Sequence, residues 1–524
     1  MMATSQYILS IDLGTGGPKV ALVSDDGAIA ASALRGVTTN FLGPDAAEQD
    51  PEEVWAAIMS AVKEVVRVAD VPASAILGMS CTSQYFSIVP IDAAGLPVGP
   101  MIPWMDGRGA PHTLSLYQAH PNLATQWIER TGMPPLPTGN DSLSHMLFLK
   151  NERPEIYDRA AKLVEPSDYV TARLTGNCVT NACTAFAQLL TDNRRLDQVD
   201  YHSELLATSG IDREKLADLV PIGSCQGTLK EDIAREIGLP SSTKVFTGVN
   251  DTHAAAMGTG VFRRGHGALN IGTTCQVLAF VDEMKTDLDN WILSMPGPIR
   301  GRYMVMSEVG LGGKPLEHFI TKVAFAKDAL ADHSIDDPFA NVEKALRSTP
   351  AGSGGLLYLP WLSGSQSPHA NASMRGGFLN MSLETDRMDM LRSVLEGVSH
   401  SLYWVLPAVE RFIGEDIEEL EFSGGGAVSN VWSQIMADIM NRPVHQLAEP
   451  RFVNNRGTAL LAFHELGVTS LADFDKNHRI AQTYHPKPEN RGMYDRLFEQ
   501  FKAAWERNRP IFEALNGKES FHAG

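Results

Sequence analysis

Two glycine-threonine turns, Gly14-Thr15-Gly16-Gly17 and Gly272-Thr273-Thr274, stand about half the chain apart, each between two apolar runs. Such a turn exposes consecutive backbone N–H groups and a hydroxyl, and glycine permits the positive φ that aims those donors at one point. The product is an anion cradle. With Lys19 beside the first turn, the two can grip a polyphosphate from opposite sides, and Asp12 at the end of the preceding run is suited to hold a magnesium ion through water. Taken singly, either turn reads equally as a plain hairpin; the pairing points to phosphate. A third glycine cluster, Ser423-Gly424-Gly425-Gly426-Ala427, follows a β-like run and precedes a helix starting near Ser429 and containing Asn430. Backbone without side chains at a helix start admits a flat ring or a phosphate, although a C-cap or tight turn is the plainer reading. Asp251, in Gly248-Val249-Asn250-Asp251-Thr252, follows a predicted strand and leads into a helix of small residues (Ala254, Ala255, Ala256, Gly258). A carboxylate there projects into a cleft, where it can take the proton of an attacking hydroxyl; it also suits an N-cap, and both roles are compatible.

The elements that must position these groups alternate between short β-rich runs and longer helical stretches, the pattern of an α/β protein. Strands are expected over 7–11, 20–23, 75–80, 87–91, 244–247 and 269–271. Asp50-Pro51-Glu52-Glu53 combines a cap, proline at the first helical position and acids in the first turn, which predicts a helix over 51–69. The region 104–251 reads as an elaboration on a sheet domain. Ile11-Asp12-Leu13-Gly14-Thr15 recurs in outline as Leu269-Asn270-Ile271-Gly272-Thr273, again leading into a second apolar strand. Two copies of a strand, turn, strand unit predict two related domains facing each other across a cleft, where ligands collect.

The 524 residues allow up to about three domains, and 44% apolar content fills more than one core. With 44 Lys+Arg against 62 Asp+Glu the formal charge is −18, and no basic patch offsets it, which argues against nucleic acid and anionic membrane as partners. No apolar run approaches the ~18 residues of a membrane span and residues 1–7 lack a secretion signal, so a cytoplasmic setting is expected. Five scattered cysteines without a CxxC fit a reducing compartment. Residues 506–524 read as a helix end with a polar tail.

The combination resembles the FGGY carbohydrate kinases, within the actin-like ATPase fold shared with hexokinase and the Hsp70 chaperones. Residues 11–15 with Lys19 resemble that family's first phosphate motif, Gly272-Thr273-Thr274 the second, and Gly424-Gly425-Gly426-Ala427 to Asn430 the adenosine motif. Glu48-Gln49-Asp50-Pro51, Pro103-Trp104-Met105-Asp106-Gly107-Arg108 and Leu174-Thr175-Gly176 are also similar to stretches the family carries. The resemblance implies two actin-like (ribonuclease H-like) α/β domains, 1–259 and 260–524, with an interdomain cleft. It implies ATP and Mg²⁺ as cofactors and transfer of the γ-phosphoryl group to a hydroxyl of a small sugar or polyol. It further implies Asp251 as general base, Asp12 as metal support, Gly14, Thr15, Lys19, Gly272, Thr273, Gly425, Gly426 and Asn430 around ATP, and a homodimer.

Departures bear on the acceptor. Xylulose kinases, the nearest-looking branch, carry Gln-Met-His-Gly where this chain has Gln84-Tyr85-Phe86-Ser87, and a lost histidine removes a partner for a sugar hydroxyl. Xylulose is therefore an option that these residues do not favour. The family's lysine and tryptophan are replaced by His145 and Phe148, and a usual glycine by Asn380. Gln84 is expected as a polar sugar contact; Tyr85, Phe86 and Trp104 stack on a sugar face or fill a core. Asp106 and Arg108 suit a structural ion pair, and Glu308, Lys314 and Trp361 are left without a place. A dinucleotide oxidoreductase is excluded because Gly14-Thr15-Gly16-Gly17-Pro18-Lys19 lacks the third glycine and leads into a strand, and no P-loop is present. A non-catalytic actin-like ATP-binding sugar sensor survives on fold alone.

Overall fold

The computed structural model describes residues 5–330, 332–474 and 478–517. The first two apolar runs form strands β1 (Tyr7–Gly14) and β2 (Gly17–Ser24), paired antiparallel from Tyr7 opposite Ser24 to Gly14 opposite Gly17, so Thr15-Gly16 is a two-residue turn. Gly17 has φ 126°, and a Cβ there would lie 2.2 Å from the Arg35 carbonyl oxygen; only glycine serves. Strand β3 (Ile29–Leu34) and helix α1 (Pro51–Val68) follow. The Asp50 side chain accepts the Glu52 N–H at 2.9 Å, and Val54, Ile58, Val62 and Val65 bury one face, as the cap signal and helical spacing require.

Strands β4 (Ile76–Ser83), β5 (Cys225–Thr228) and β6 (Lys244–Phe246) complete a six-stranded sheet in the order β5-β6-β4-β1-β2-β3, with β4 parallel to both β1 and β6. The strand expected over 87–91 is shorter, Val89–Ile91, and pairs with Lys162–Val164 outside this sheet. Helix α2 (Asp251–Thr259) leaves β6 through Asn250, which occupies the cap position; Asp251 is the first helical residue rather than the cap.

The second half repeats the plan. Strands β7 (His266–Ile271), β8 (Thr274–Val281), β9 (Thr286–Asp287), β10 (Ile292–Pro296) and β11 (Tyr303–Leu311) are followed by helix α3 (Arg387–Ile413), β12 (Glu419–Gly424), α4 (Asn430–Met440), β13 (Val444–Leu447), α5 (Val453–Glu465), β14 (Ile480–Tyr484) and α6 (Pro488–Asn516). The sheet order is β9-β10-β11-β8-β7-β12-β13-β14. Its central run β11-β8-β7-β12-β13 matches β3-β2-β1-β4-β6: three antiparallel strands, then two parallel. The sequence repeat is thus a repeat of topology.

The halves are interlocked by two helices that touch backbone to backbone. A Cβ on Gly258 of α2 would lie 2.1 Å from the Val453 carbonyl, and one on Gly457 of α5 would lie 1.9 Å from the Ala254 carbonyl. Helix α5 sends Ala459, Ala462 and Phe463 against Ile8, Ala21, Val23 and Phe246 of the first sheet. Helix α2 sends Ala255 and Ala256 into a core with Ala268, Leu278 and Phe280 of the second. The elaboration between β4 and β5 contributes Trp127, Leu147 and Phe186 to that same core. Among the described residues no helix is long and apolar enough to cross a membrane. The tail expected over 506–524 is helical as far as Asn516, and residues 518–524 lie outside the described residues.

Candidate active site between the two domains

The two turns occupy equivalent places, each at the carboxyl end of a central strand. In the first, buried Asp12 lies opposite Lys19 across the β1–β2 pair, and Lys19 Nζ contacts Asp12 Oδ2 at 2.5 Å. Lys19 Nζ also donates to the Arg451 carbonyl at 3.4 Å, and Asn454 Nδ2 to Asp12 Oδ2 at 3.3 Å. Asn455 binds the Ser10 and Lys19 carbonyls at 3.0 and 3.1 Å, which fixes the start of α5 to the first sheet. In the second turn Gly272 and Thr273 are exposed, and their carbonyls accept the N–H groups of Gly313 (2.8 Å) and Gly312 (3.0 Å).

The third glycine cluster stacks on this second turn. Gly424 has φ 85°, and a Cβ there would lie 2.4 Å from the Ile271 carbonyl; one on Gly426 would lie 2.8 Å from the Ile271 side chain. Gly425 stays exposed, as does Asn430 at the start of α4, whose Oδ1 accepts Gln446 Nε2 at 3.0 Å. The structure therefore brings Gly272, Thr273, Gly425, Gly426 and Asn430 to one edge of the second sheet.

Asp251 faces the cleft from the other side, partly exposed at the end of the first sheet, with Oδ1 accepting the Thr252 N–H at 2.7 Å. Burial pushes its carboxyl up to about 7, Asp12 adds to the rise, and the Thr252 N–H and Lys19 oppose it. A carboxyl of this kind is poised to exchange a proton near neutral pH. Among the described residues no three His, Cys, Asp or Glu side chains form a metal-holding group. Mg²⁺ retains mostly water and phosphate oxygens as ligands, so the single Asp12 carboxylate beside the first turn fits its support.

The residues expected on the sugar side form a linked set. Gln84 is buried: its Oε1 accepts the Thr15 hydroxyl at 2.7 Å and its Nε2 donates to Gln49 Oε1 at 3.0 Å. Gln49 in turn donates to the Thr15 carbonyl at 2.8 Å, and Trp104 Nε1 to Thr15 Oγ1 at 2.9 Å. Gln84 is thus occupied in holding the first turn, while Trp104 keeps 36% of its surface open. Phe86 sits in the left-handed region at φ 53°, unusual for a bulky residue, with its ring 4.8 Å from that of Tyr85. The conformation is held by Ser87, whose N–H donates to buried Glu165 at 3.2 Å and whose hydroxyl accepts the Trp104 N–H at 3.1 Å. The Tyr85 hydroxyl reaches Met306 Sδ of the second domain at 3.3 Å.

Asp106 and Arg108 do form an ion pair, at 2.7 Å, extended by Glu48 at 2.9 Å. The residues that depart from the family pattern support it: His145 Nε2 meets the Asp106 carbonyl at 2.9 Å, and the Phe148 ring lies 4.4 Å from the Arg108 guanidinium. Of the three unplaced residues, Lys314 is on the surface with Glu317 at 2.9 Å. Trp361 is buried against Phe501 under α6, whereas Glu308 is on β11 facing Tyr85 and Gln276. Sequence reasoning named Gln49 within a family-like stretch without a role, and missed Asn454 and Asn455, whose only local signal is their position beside a helix start.

Two family models cover most of the chain: the N-terminal domain of the FGGY family of carbohydrate kinases over residues 7–258 and its C-terminal domain over residues 267–466. The chain is 26% identical over 513 residues to a xylulose kinase of Bacillus subtilis, covering 97% of this chain and 99% of that one. It is 27% identical over 495 residues to a gluconokinase of the same organism, covering 92% of each. Among solved structures, a gluconate kinase from Lactobacillus acidophilus superposes with a TM-score of 0.82 at 24% identity, covering 97% of this chain and 99% of that one. A Plasmodium falciparum glycerol kinase with ADP gives 0.81 at 20% identity, covering 96% and 98%. Phosphate-type turns on both sheets, a cleft carboxylate between them and family models spanning both halves agree, and the chain belongs to the FGGY family of carbohydrate kinases, phosphotransferases with an alcohol group as acceptor.

Proposed function

We propose that this kinase transfers the γ-phosphoryl group of ATP to a hydroxyl of a small sugar or polyol, with Asp251 as the general base. The observation that carries the reading is the Asp251 carboxyl itself, at the cleft end of the first sheet and pushed up to about 7. A ketopentose such as xylulose is one acceptor in scope.

In this reading the acceptor hydroxyl gives its proton to the Asp251 carboxylate as its oxygen bonds to the γ-phosphorus. The bond to the β–γ bridging oxygen breaks and ADP leaves. The turns at Gly14-Thr15 and Gly272-Thr273 bind the phosphates from the two sheets, with Lys19 as the adjacent cation. Gly425, Gly426 and Asn430 border the adenosine. Asp12 is the anchor for Mg²⁺, which when bound neutralises phosphate charge. Trp104, Tyr85 and Phe86 line the acceptor side, and Gln84 acts on it by holding Thr15 and Gln49 in place. Closure of the two domains, which we divide at 259/260, excludes water that otherwise competes as acceptor. A cytoplasmic homodimer is the setting that the family resemblance supports.

The test is ADP release from Mg·ATP across ketopentoses, aldopentoses, polyols, sugar acids and glycerol, with Asp251→Asn as the blank. Release stimulated by one acceptor class and lost in the variant is expected, with ATP affinity retained within a few-fold. Wild-type turnover in Asp251→Asn would defeat the assignment.

A further inference from the structure

The face of the second sheet that packs on the first domain is apolar up to a sharp limit. Ala268, Leu278 and Met306 lie side by side on β7, β8 and β11 and belong to the shared core. Two residues along each strand, on the same face, stand Asn270, Gln276 and Glu308, again in register. Side chains two apart on a strand share a face and are separated by about 6–7 Å, so this polar row is where the core ends and the cleft begins. Met306 marks the level, because the Tyr85 hydroxyl of the first domain meets its sulfur at 3.3 Å. That same hydroxyl feels the charges of both Asp251 and Glu308. Tyr85 is therefore near both the catalytic candidate on one domain and Glu308 on the other.

Glu308 has no evident structural purpose. The side-chain partner the structure gives it is Gln276, and no cation compensates it among the described ion pairs. A partly exposed carboxylate with one amide partner retains lone pairs for a ligand. The cations near the acceptor side are each paired with carboxylates, Lys19 with Asp12 and Arg108 with Asp106 and Glu48, although Arg108 Nη2 is buried without a hydrogen-bond partner.

We propose that Glu308 is a specificity-determining residue contributed by the second domain, which accepts hydroxyls of the phosphoryl acceptor and selects an uncharged polyhydroxy compound over a sugar acid. Hydroxyl groups donate well to carboxylates, whereas an acceptor carboxylate would meet Asp251 and Glu308, and the nearby cations already have their charge paired by Asp12, Asp106 and Glu48. The proposal rests on the kinase reading and narrows its substrate class. Because Glu308 travels with the second domain, its contact forms as the domains close, so acceptor binding and closure are coupled.

The experiment compares wild type and Glu308→Gln on a neutral ketopentose or pentitol and on the matching aldonate, with KM and kcat for acceptor and for ATP. Wild type should favour the neutral acceptor by about 100-fold or more in kcat/KM. Glu308→Gln should raise the neutral acceptor's KM by about 10- to 100-fold, leave the KM for ATP unchanged as a control for folding, and narrow the preference over the aldonate. A wild-type preference for the aldonate, or an acceptor KM in Glu308→Gln within about twofold of wild type, overturns this proposal and leaves the kinase reading standing. A wild type silent with every acceptor overturns both.

Discussion

The Asp251 carboxyl allows its two readings to be separated by the pH dependence of a stability change. Folding raises its pKa from 3.8 to about 7. The folded chain holds this proton more tightly than the unfolded chain, so the contribution is fully present below pH 3.8 and is lost as pH rises through about 7. At about 1.4 kcal/mol per pKa unit, the ionised carboxylate costs the fold up to about 4 kcal/mol at pH 8, and we take about 2–4 because the side chain is partly open to solvent. Asparagine keeps the shape and removes the charge. Urea unfolding of Asp251→Asn against wild type should therefore show the variant more stable at pH 8, and by a margin about 1–2 kcal/mol larger than at pH 5. Phosphoryl transfer should be lost in the same variant, and wild-type kcat/KM should rise with pH through about 7, well above the ordinary carboxylate range. If Asp251 served chiefly the N-terminus of α2, asparagine would serve it equally well and stability would change little at either pH. A variant no more stable than wild type at pH 8 would refute the burial argument, whatever its activity.

Two further outcomes follow from backbone geometry. Gly457→Ala places a methyl 1.9 Å from the Ala254 carbonyl, so α2 and α5 must part; a loss of about 1–3 kcal/mol in urea unfolding is expected, together with a fall in kcat. Gly492→Ala on exposed α6, where the nearest atom is 3.9 Å away, should gain about 0.5–1 kcal/mol and serves as the control. Asn380 has φ 69° where the family carries glycine. Asn380→Gly should be close to neutral in thermal unfolding and Asn380→Val should cost about 1–2 kcal/mol; equal effects would remove the backbone explanation.

How far the sequence could be read depended on how local the cause was. The Thr15-Gly16 turn, the α1 cap and the half-chain repeat were legible because each is written within a few residues: glycine where φ must be positive, aspartate before proline, apolar runs flanking a turn. Asn380 was visible as a departure, but its tolerance was not, since that depends on a φ that only asparagine and glycine adopt easily. Gln84 was read as a sugar contact because its type suits one; its partners Thr15 and Gln49 lie 69 and 35 residues away and absorb its amide. Asp251 was read as a cleft carboxylate that also suits the cap of α2; Asn250 takes the cap position, and Asp251 is the first residue of the helix. Asn454 reaches Asp12 across 442 residues, and Glu308 faces Tyr85 of the other domain, contacts that no local pattern announces.

The exchange of helices between the halves has a consequence for how the chain can be divided. Helix α5 covers Ile8, Ala21, Val23 and Phe246 of the first sheet, and α2 covers Ala268 and Leu278 of the second. A cut between residues 259 and 260 would therefore strip α5 from the first half and α2 from the second, leaving each fragment with a bare apolar sheet face. The halves are duplicates in topology, yet each carries the wall that the other lacks.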